Sequence, residues 1–105
     1  MNVELRFEAG VLTARLLGEI DHHSAGQMRE RIDEAMKLQR PSCLRLDFSQ
    51  VPFMDSSGVG LVLGRVRLCR FWNGRVVLCG LSPQLSKMVE LSGLSGVASI
   101  ERRAG

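Results

Sequence analysis

The chemistry in this sequence is densest at FMDSSGVG, Phe53–Gly60, where an acid, two hydroxyls and two glycines sit between apolar residues. With Asp55 as the N-cap of a helix, Ser56, Ser57 and Gly58 form its first turn. Free backbone N–H groups point outward there, and the helix dipole favours negative charge. Gly58 and Gly60 let another group approach closely. The same residues are also ordinary capping chemistry. A phosphate-binding P-loop would need GxxxxGK[ST], but no lysine lies nearby, and GVGLVLG misses the GxGxxG spacing by one position. A serine hydrolase would need GxSxG or an SxxK partner, and neither surrounds this motif. His22 and His23 are the only histidines, so a base for these serines or a metal site with Asp21 has little to draw on; adjacent side chains diverge. A phosphoacceptor serine at an exposed helix start uses every feature of the motif and needs no missing partner.

The elements that hold this turn follow from periodicity. Val3, Leu5 and Phe7 alternate on one face of a strand, and Leu12, Ala14 and Leu16 do so after the turn at Ala9–Gly10, which reads as a hairpin. Ala25, Met28, Ile32, Ala35 and Met36 then fall at helical spacing, with Ser24 as the expected N-cap and Pro41 as the stop. Leu44, Leu46 and Phe48 define a third strand, and SQVP reads as a loop leading to the serine helix. Asn73–Gly74 is a turn before RVVLCG, an oily strand expected in the centre of the sheet. Ser82–Pro83 caps a helix over QLSKMVELS that stops at Gly93, and VASIE reads as a last strand. The order ββαβαβαβ predicts an α/β fold: a single domain over residues 1–105, with a mixed sheet and helices packed on it.

The serine helix is apolar on two sides. Val59, Val62, Leu63, Val66 and Cys69 share one face; Leu61, Leu68 and Trp72, with Arg65 among them, gather opposite. A helix on a sheet needs only one such face. The second is either packed on neighbouring helices or a protein-docking surface continuous with the serine turn.

Bulk properties narrow the class. The 105 residues are 45% hydrophobic and 24% charged, ordinary values for one globular domain. The net charge of +3 and pI near 9.1 are mildly basic. Its arginines are scattered, with small groups at Arg65, Arg67 and Arg70 and at Arg102–Arg103. Four Phe, one Trp and no Tyr offer little for base stacking, so direct nucleic-acid binding is not expected. Cys43, Cys69 and Cys79 lie dispersed in apolar stretches, which reads as buried thiols in a reducing compartment. The N-terminal residues lack the apolar core of a signal peptide, and the longest apolar run is too short to cross a bilayer. A cytoplasmic protein is expected.

Three segments, GEIDHHSAGQMRERID, LDFSQVPFMDSSGVGLVLGR and SPQLSKMVELSGL, resemble in order the signatures of bacterial anti-sigma factor antagonists of the STAS superfamily. DHH before the first helix and MDSSG before the second most resemble the sporulation type, stage II protein AA. The resemblance implies a STAS-like fold and a switch protein, not an enzyme, with no cofactor of its own. Its partner would be a GHKL-type serine kinase that is also an anti-sigma factor, which releases its sigma factor when the antagonist binds. That kinase would use ATP to phosphorylate Ser56, and a PP2C-type phosphatase would remove the phosphate. Asp21, His22 and His23, in the loop before the first helix, together with Asp55, Ser57, Gly58 and Leu61, would face the partner. A monomer is expected. The family pattern also runs into a C-terminal helix beyond SIERRAG. A STAS module of another assembly, stressosome-like or transport-associated, is the alternative on the same fold.

Overall fold

The computed structural model describes residues 2–101. Its elements are β1 (Val3–Glu8), β2 (Val11–Leu17), α1 (His22–Gln39), β3 (Cys43–Gln50), α2 (Ser56–Cys69), β4 (Arg75–Cys79), α3 (Pro83–Ser92) and β5 (Ser99–Ile100), with short 3-10 turns at Arg70–Trp72 and Leu94–Gly96. The α/β order is the one expected from periodicity. The tail pair Arg102–Arg103 lies outside the described residues.

The sheet runs β1-β2-β3-β4-β5, antiparallel between β1 and β2 and parallel thereafter. The β1–β2 hairpin closes through Ala9 at φ 51° and Gly10 at φ 79°. Positive φ at both central residues twists the turn to match the strands it joins. A Cβ on Gly10 would lie 3.1 Å from Ser42 Oγ, so glycine also clears the approach to β3. Each parallel connection steps one strand further along the sheet, and right-handed crossovers of that kind keep the helices on one face. Leu12, Ala14, Leu16, Leu44, Leu46, Phe48, Val76 and Leu78 are buried on that face against Met28, Ile32 and Met36 of α1 and Val62 and Val66 of α2.

The opposite face is a charged lattice in which Arg15 lies 3.4 Å from Glu4 and 3.7 Å from Asp47. Arg45 donates twice to Glu101, at 3.2 and 2.7 Å. Exposed pairs of this kind contribute little stability; they keep the open face polar.

Four boundaries differ from expectation. The central strand is β3, whereas β4 is flanked by a partner of two residues. The oily character of β4 reflects its flanks: Cys79 is covered even on the non-helical side. VASIE pairs only at Ser99–Ile100. Ser49 and Gln50 extend β3, where a loop was expected, because Gln50 pairs with Leu17 across a register shift. The first helix begins at His22 with Asp21 as its N-cap, so Ser24 is not the cap. By contrast, α3 is capped by Ser82, whose Oγ accepts from Leu85 N–H at 3.2 Å, and ends at Gly93 with φ 79°. Cys43, Cys69 and Cys79 are buried free thiols as expected, and burial pushes Cys69 and Cys79 up to about 11.

Candidate functional site

Two helix starts are laid side by side by backbone hydrogen bonds. Ile20 N–H donates to Phe53 C=O at 3.0 Å, and Asp55 N–H donates to Ile20 C=O at 3.1 Å, an isolated parallel bridge between Ile20 and Met54. Both bridge side chains are buried, at 0% and 1% exposure, so the bridge is anchored in the core. Each is followed at once by an aspartate that caps a helix. Residues 34 apart in sequence thus present Asp21 and Asp55 at one edge of the molecule.

The α1 start closes on itself. Asp21 Oδ1 accepts from Ser24 N–H at 2.8 Å, and Ser24 Oγ accepts from Asp21 N–H at 2.9 Å, a capping box. The Ser24 hydroxyl in turn donates to Glu19 C=O at 2.9 Å. The Ser24 amide and hydroxyl hold the Asp21 carboxyl below its usual range. Asp caps a helix as well as Ser does; with Asp21 available, the helix gains a turn and takes in His22 and His23, which were expected in a loop. Both imidazoles are exposed on that first turn, and His23 Nε2 lies 3.4 Å from the Gln27 amide one turn on.

The α2 start stays open. Asp55 is its N-cap, as expected; Oδ1 accepts from Ser57 N–H at 2.8 Å, and Gly58 N–H donates to Asp55 C=O at 3.0 Å. Ser56 is exposed, and its hydroxyl makes no side-chain hydrogen bond among the described residues. Ser57 is half-buried. Gly58, expected to line the contact surface, is buried. A Cβ there would sit 2.6 Å from Met54 Sδ and 3.1 Å from Met54 Cβ, so the glycine lets the helix start pack over the bridge. Leu61 likewise is buried at 4% exposure. It belongs to the core and reaches the surface only as the floor of a groove.

That groove, of about 320 Å3, runs between the two helices. His22, Gly26 and Arg29 line it from α1, and Ser57, Gly60 and Arg65 from α2. Arg65 is buried, and its Nε lies 2.9 Å from Asp33 Oδ1 of α1. The contact is an ion pair without hydrogen-bond alignment, and Nη1 has no hydrogen-bond partner among the described residues. Burial depresses the Arg65 pKa, Asp33 opposes the shift, and the neighbouring Arg29 charge adds to it.

The second apolar side of α2 is thus occupied by α1 and its surroundings: Leu61 and Arg65 are buried, and Trp72 Nε1 donates to Pro41 C=O at 2.8 Å. Packing on neighbours accounts for it. Two contributors to the serine edge were not singled out from the sequence. Phe53, 48% exposed, stands immediately before the bridge, and Arg29 stands across the groove from Ser57. Phe53 lay inside the motif itself; Arg29 carried no distinguishing signal among scattered arginines. Among the described residues there is no cluster of metal-ligating side chains, and no helix is long and apolar enough to cross a membrane.

The STAS domain family matches residues 2–103. The chain is 34% identical over 100 residues to the anti-sigma F factor antagonist of Paenibacillus polymyxa, covering 95% of this chain and 86% of that protein. It superimposes on the anti-sigma factor antagonist SpoIIAA in its unphosphorylated form with a TM-score of 0.82 at 35% identity, covering 96% of this chain and 89% of the other. The phosphorylated form of the Bacillus cell fate determinant SpoIIAA gives a TM-score of 0.74 at 35% identity, covering 96% and 92%. The two capped helix starts and the fold that pins them together therefore belong to a member of the STAS domain family, on the branch of the anti-sigma factor antagonists.

Proposed function

We propose that this protein is an anti-sigma factor antagonist of the sporulation type, switched by phosphorylation of Ser56. The observation that carries the reading is the open α2 start: an exposed, unbonded hydroxyl at the first turn of a helix already capped by Asp55. A serine so placed accepts a phosphoryl group without giving up any structural bond. The similarity to a protein known in unphosphorylated and phosphorylated forms supports the same reading.

The partner in this reading is an anti-sigma factor of the GHKL serine kinase type, which binds the edge formed by Asp21, His22, His23, Asp55 and Ser57. Binding releases the sigma factor for transcription. The kinase transfers the γ-phosphoryl group of ATP to Ser56 Oγ, with ADP as the leaving group and the hydroxyl proton lost to a base of the kinase. A PP2C-type phosphatase hydrolyses the phosphoserine and restores the active form. The protein is thus a monomeric cytoplasmic regulator and a substrate, without an activity of its own.

The switch is electrostatic. Phosphate adds a charge of about −1.5 to −2. At a helix N-terminus the fold tolerates it, with a gain of about 0.3–1 kcal/mol from the dipole. The same charge beside Asp55 repels and desolvates a partner surface matched to the unmodified serine.

The test is displacement. Unphosphorylated protein added to a sigma–anti-sigma complex should free sigma, and Ser56→Asp should do so at least tenfold less effectively. A Ser56→Asp protein as effective as wild type would contradict the switch, and failure of the wild type to free sigma would contradict the function.

A further inference from the structure

The groove between α1 and α2 carries more positive charge than the fold itself uses. Arg65 has a side chain only 7% exposed, and its single ionic partner among the described residues, Asp33, meets it at Nε. Nη1 has no hydrogen-bond partner among the described residues and is itself sealed from solvent. With that one ion pair misaligned and the guanidinium largely out of water, its positive charge is incompletely balanced beneath the groove. Arg29 and His22 line the same groove, and among the described residues no acidic one does. The electrostatics of the lining call for an anion.

The shape supplies an independent observation. Gly26 lies within α1 and Gly60 within α2, both on the groove. A helix-interior glycine is destabilising relative to alanine, so a packing reason is expected for each. None exists: a Cβ at either position would meet nothing within 4 Å. This contrasts with Gly58 in the same helix, where a Cβ would crowd Met54. Gly26 and Gly60 leave the groove open between the two helices.

The geometry points to this groove as the seat for an aspartate or glutamate side chain of the anti-sigma factor, its carboxylate directed at Arg65 and Arg29 and its backbone drawn close by Gly26 and Gly60. This inference rests on the proposed function for the identity of the partner. A protein side chain fits better than a free small ligand. At about 320 Å3 the groove is at the small end of ligand pockets (~300–1,000 Å3) and lies open on the surface. It also continues the serine edge, since Ser57 and His22 belong to both. Arg–carboxylate pairs gain strength and specificity from their forked geometry. A phosphate on Ser56, next to Ser57 on the rim, would then compete with the incoming carboxylate for the same cations. That gives the proposed switch a second, attractive component: the phosphate draws on the charge that the partner needs.

The experiment is calorimetric titration of the anti-sigma factor from the same genome with the full chain and four variants. Arg29→Glu places a competing carboxylate in the groove from an exposed position; Gly60→Leu fills it where space is free. Both should fold, with thermal midpoints at or above that of the wild type for Gly60→Leu and near it for Arg29→Glu. Each should weaken binding at least tenfold, and the salt dependence of affinity should be shallower for Arg29→Glu than for wild type. Ser56→Asp combined with Arg29→Glu should weaken binding less than the product of the single effects, because both act on one site. Binding by Arg29→Glu and Gly60→Leu within twofold of wild type, while Ser56→Asp alone is weakened, would overturn the groove assignment and leave the proposed function standing. Multiplicative losses in the double variant would overturn the shared site. Absence of binding by the wild type would overturn the proposed function, and the assignment of this occupant with it.

Discussion

The starts of α1 and α2 use the same two residue types, an aspartate cap and a serine within the first turn, and reach opposite outcomes. At α1 the serine is at the third helical position, where its hydroxyl reaches back to Asp21 N–H and donates to Glu19 C=O. At α2 the serine after the cap is at the first position, and its hydroxyl bonds nothing among the described residues. Position within the turn decides which serine is structural and which is available. The parallel bridge between Ile20 and Met54 sets the two side by side, so a rigid, self-satisfied start lies next to one with an open hydroxyl.

The bridge is where the comparison is most easily broken. Met54→Ala removes a side chain 1% exposed and should cost about 2–5 kcal/mol in chemical denaturation. Gly58→Ala should cost about 1–3 kcal/mol by forcing a methyl against Met54. Combining the two should cost less than their sum, because the truncated residue 54 no longer opposes the added methyl. Strict additivity would show that Gly58 is not placed there for Met54.

The serines sharpen it next. Asp55→Ala should lose about 0.5–2 kcal/mol as a cap is removed. Ser24→Ala should lose about 1 kcal/mol for its hydrogen bonds, while Ser56→Ala should stay within about 0.5 kcal/mol of wild type. Equal losses for Ser24→Ala and Ser56→Ala would remove the distinction between the two starts.

The smallest effect is in acid. Hydrogen bonds from Ser24 hold the folded Asp21 carboxyl below its ordinary value. A depressed folded pKa means the unfolded chain binds the proton first, so the contribution is complete above the unfolded value near ~4 and is lost as pH falls through the folded one. Thermal midpoints followed from about pH 5 to 2 should therefore fall less steeply in Asp21→Asn than in wild type. Parallel profiles would mean that Asp21 gains nothing from its charge.

Much of this arrangement was legible in the sequence. Asp55 as cap and Ser56 as the exposed residue followed from FMDSSGVG, because capping is local chemistry. The α/β order followed from the change of period after Leu17 and the punctuation at Pro41, Asn73–Gly74 and Ser82–Pro83. What stayed hidden depends on tertiary neighbours. Asp21 and Ser24 both make good caps, and only the reciprocal bonds show that Asp21 caps the helix and draws His22 and His23 into it. Gly58 looks like a clearing for a partner until Met54 is found beneath it, whereas Gly60 has nothing beneath it at all. Leu61 and Arg65 lie on an apolar stripe whose cover, α1, cannot be read from the spacing of α2 alone. β4 looks central by composition, although the strand order places β3 there.

The central claim is that one serine, Ser56, carries the switch. Incubation of the wild-type protein, Ser56→Ala and Ser57→Ala with the anti-sigma factor from the same genome and ATP, followed by intact-mass measurement and peptide mapping, tests it directly. The account predicts one phosphate on wild type and on Ser57→Ala, located at Ser56, and none on Ser56→Ala. A phosphate on Ser56→Ala, or one mapped to Ser57 in the wild type, would contradict it.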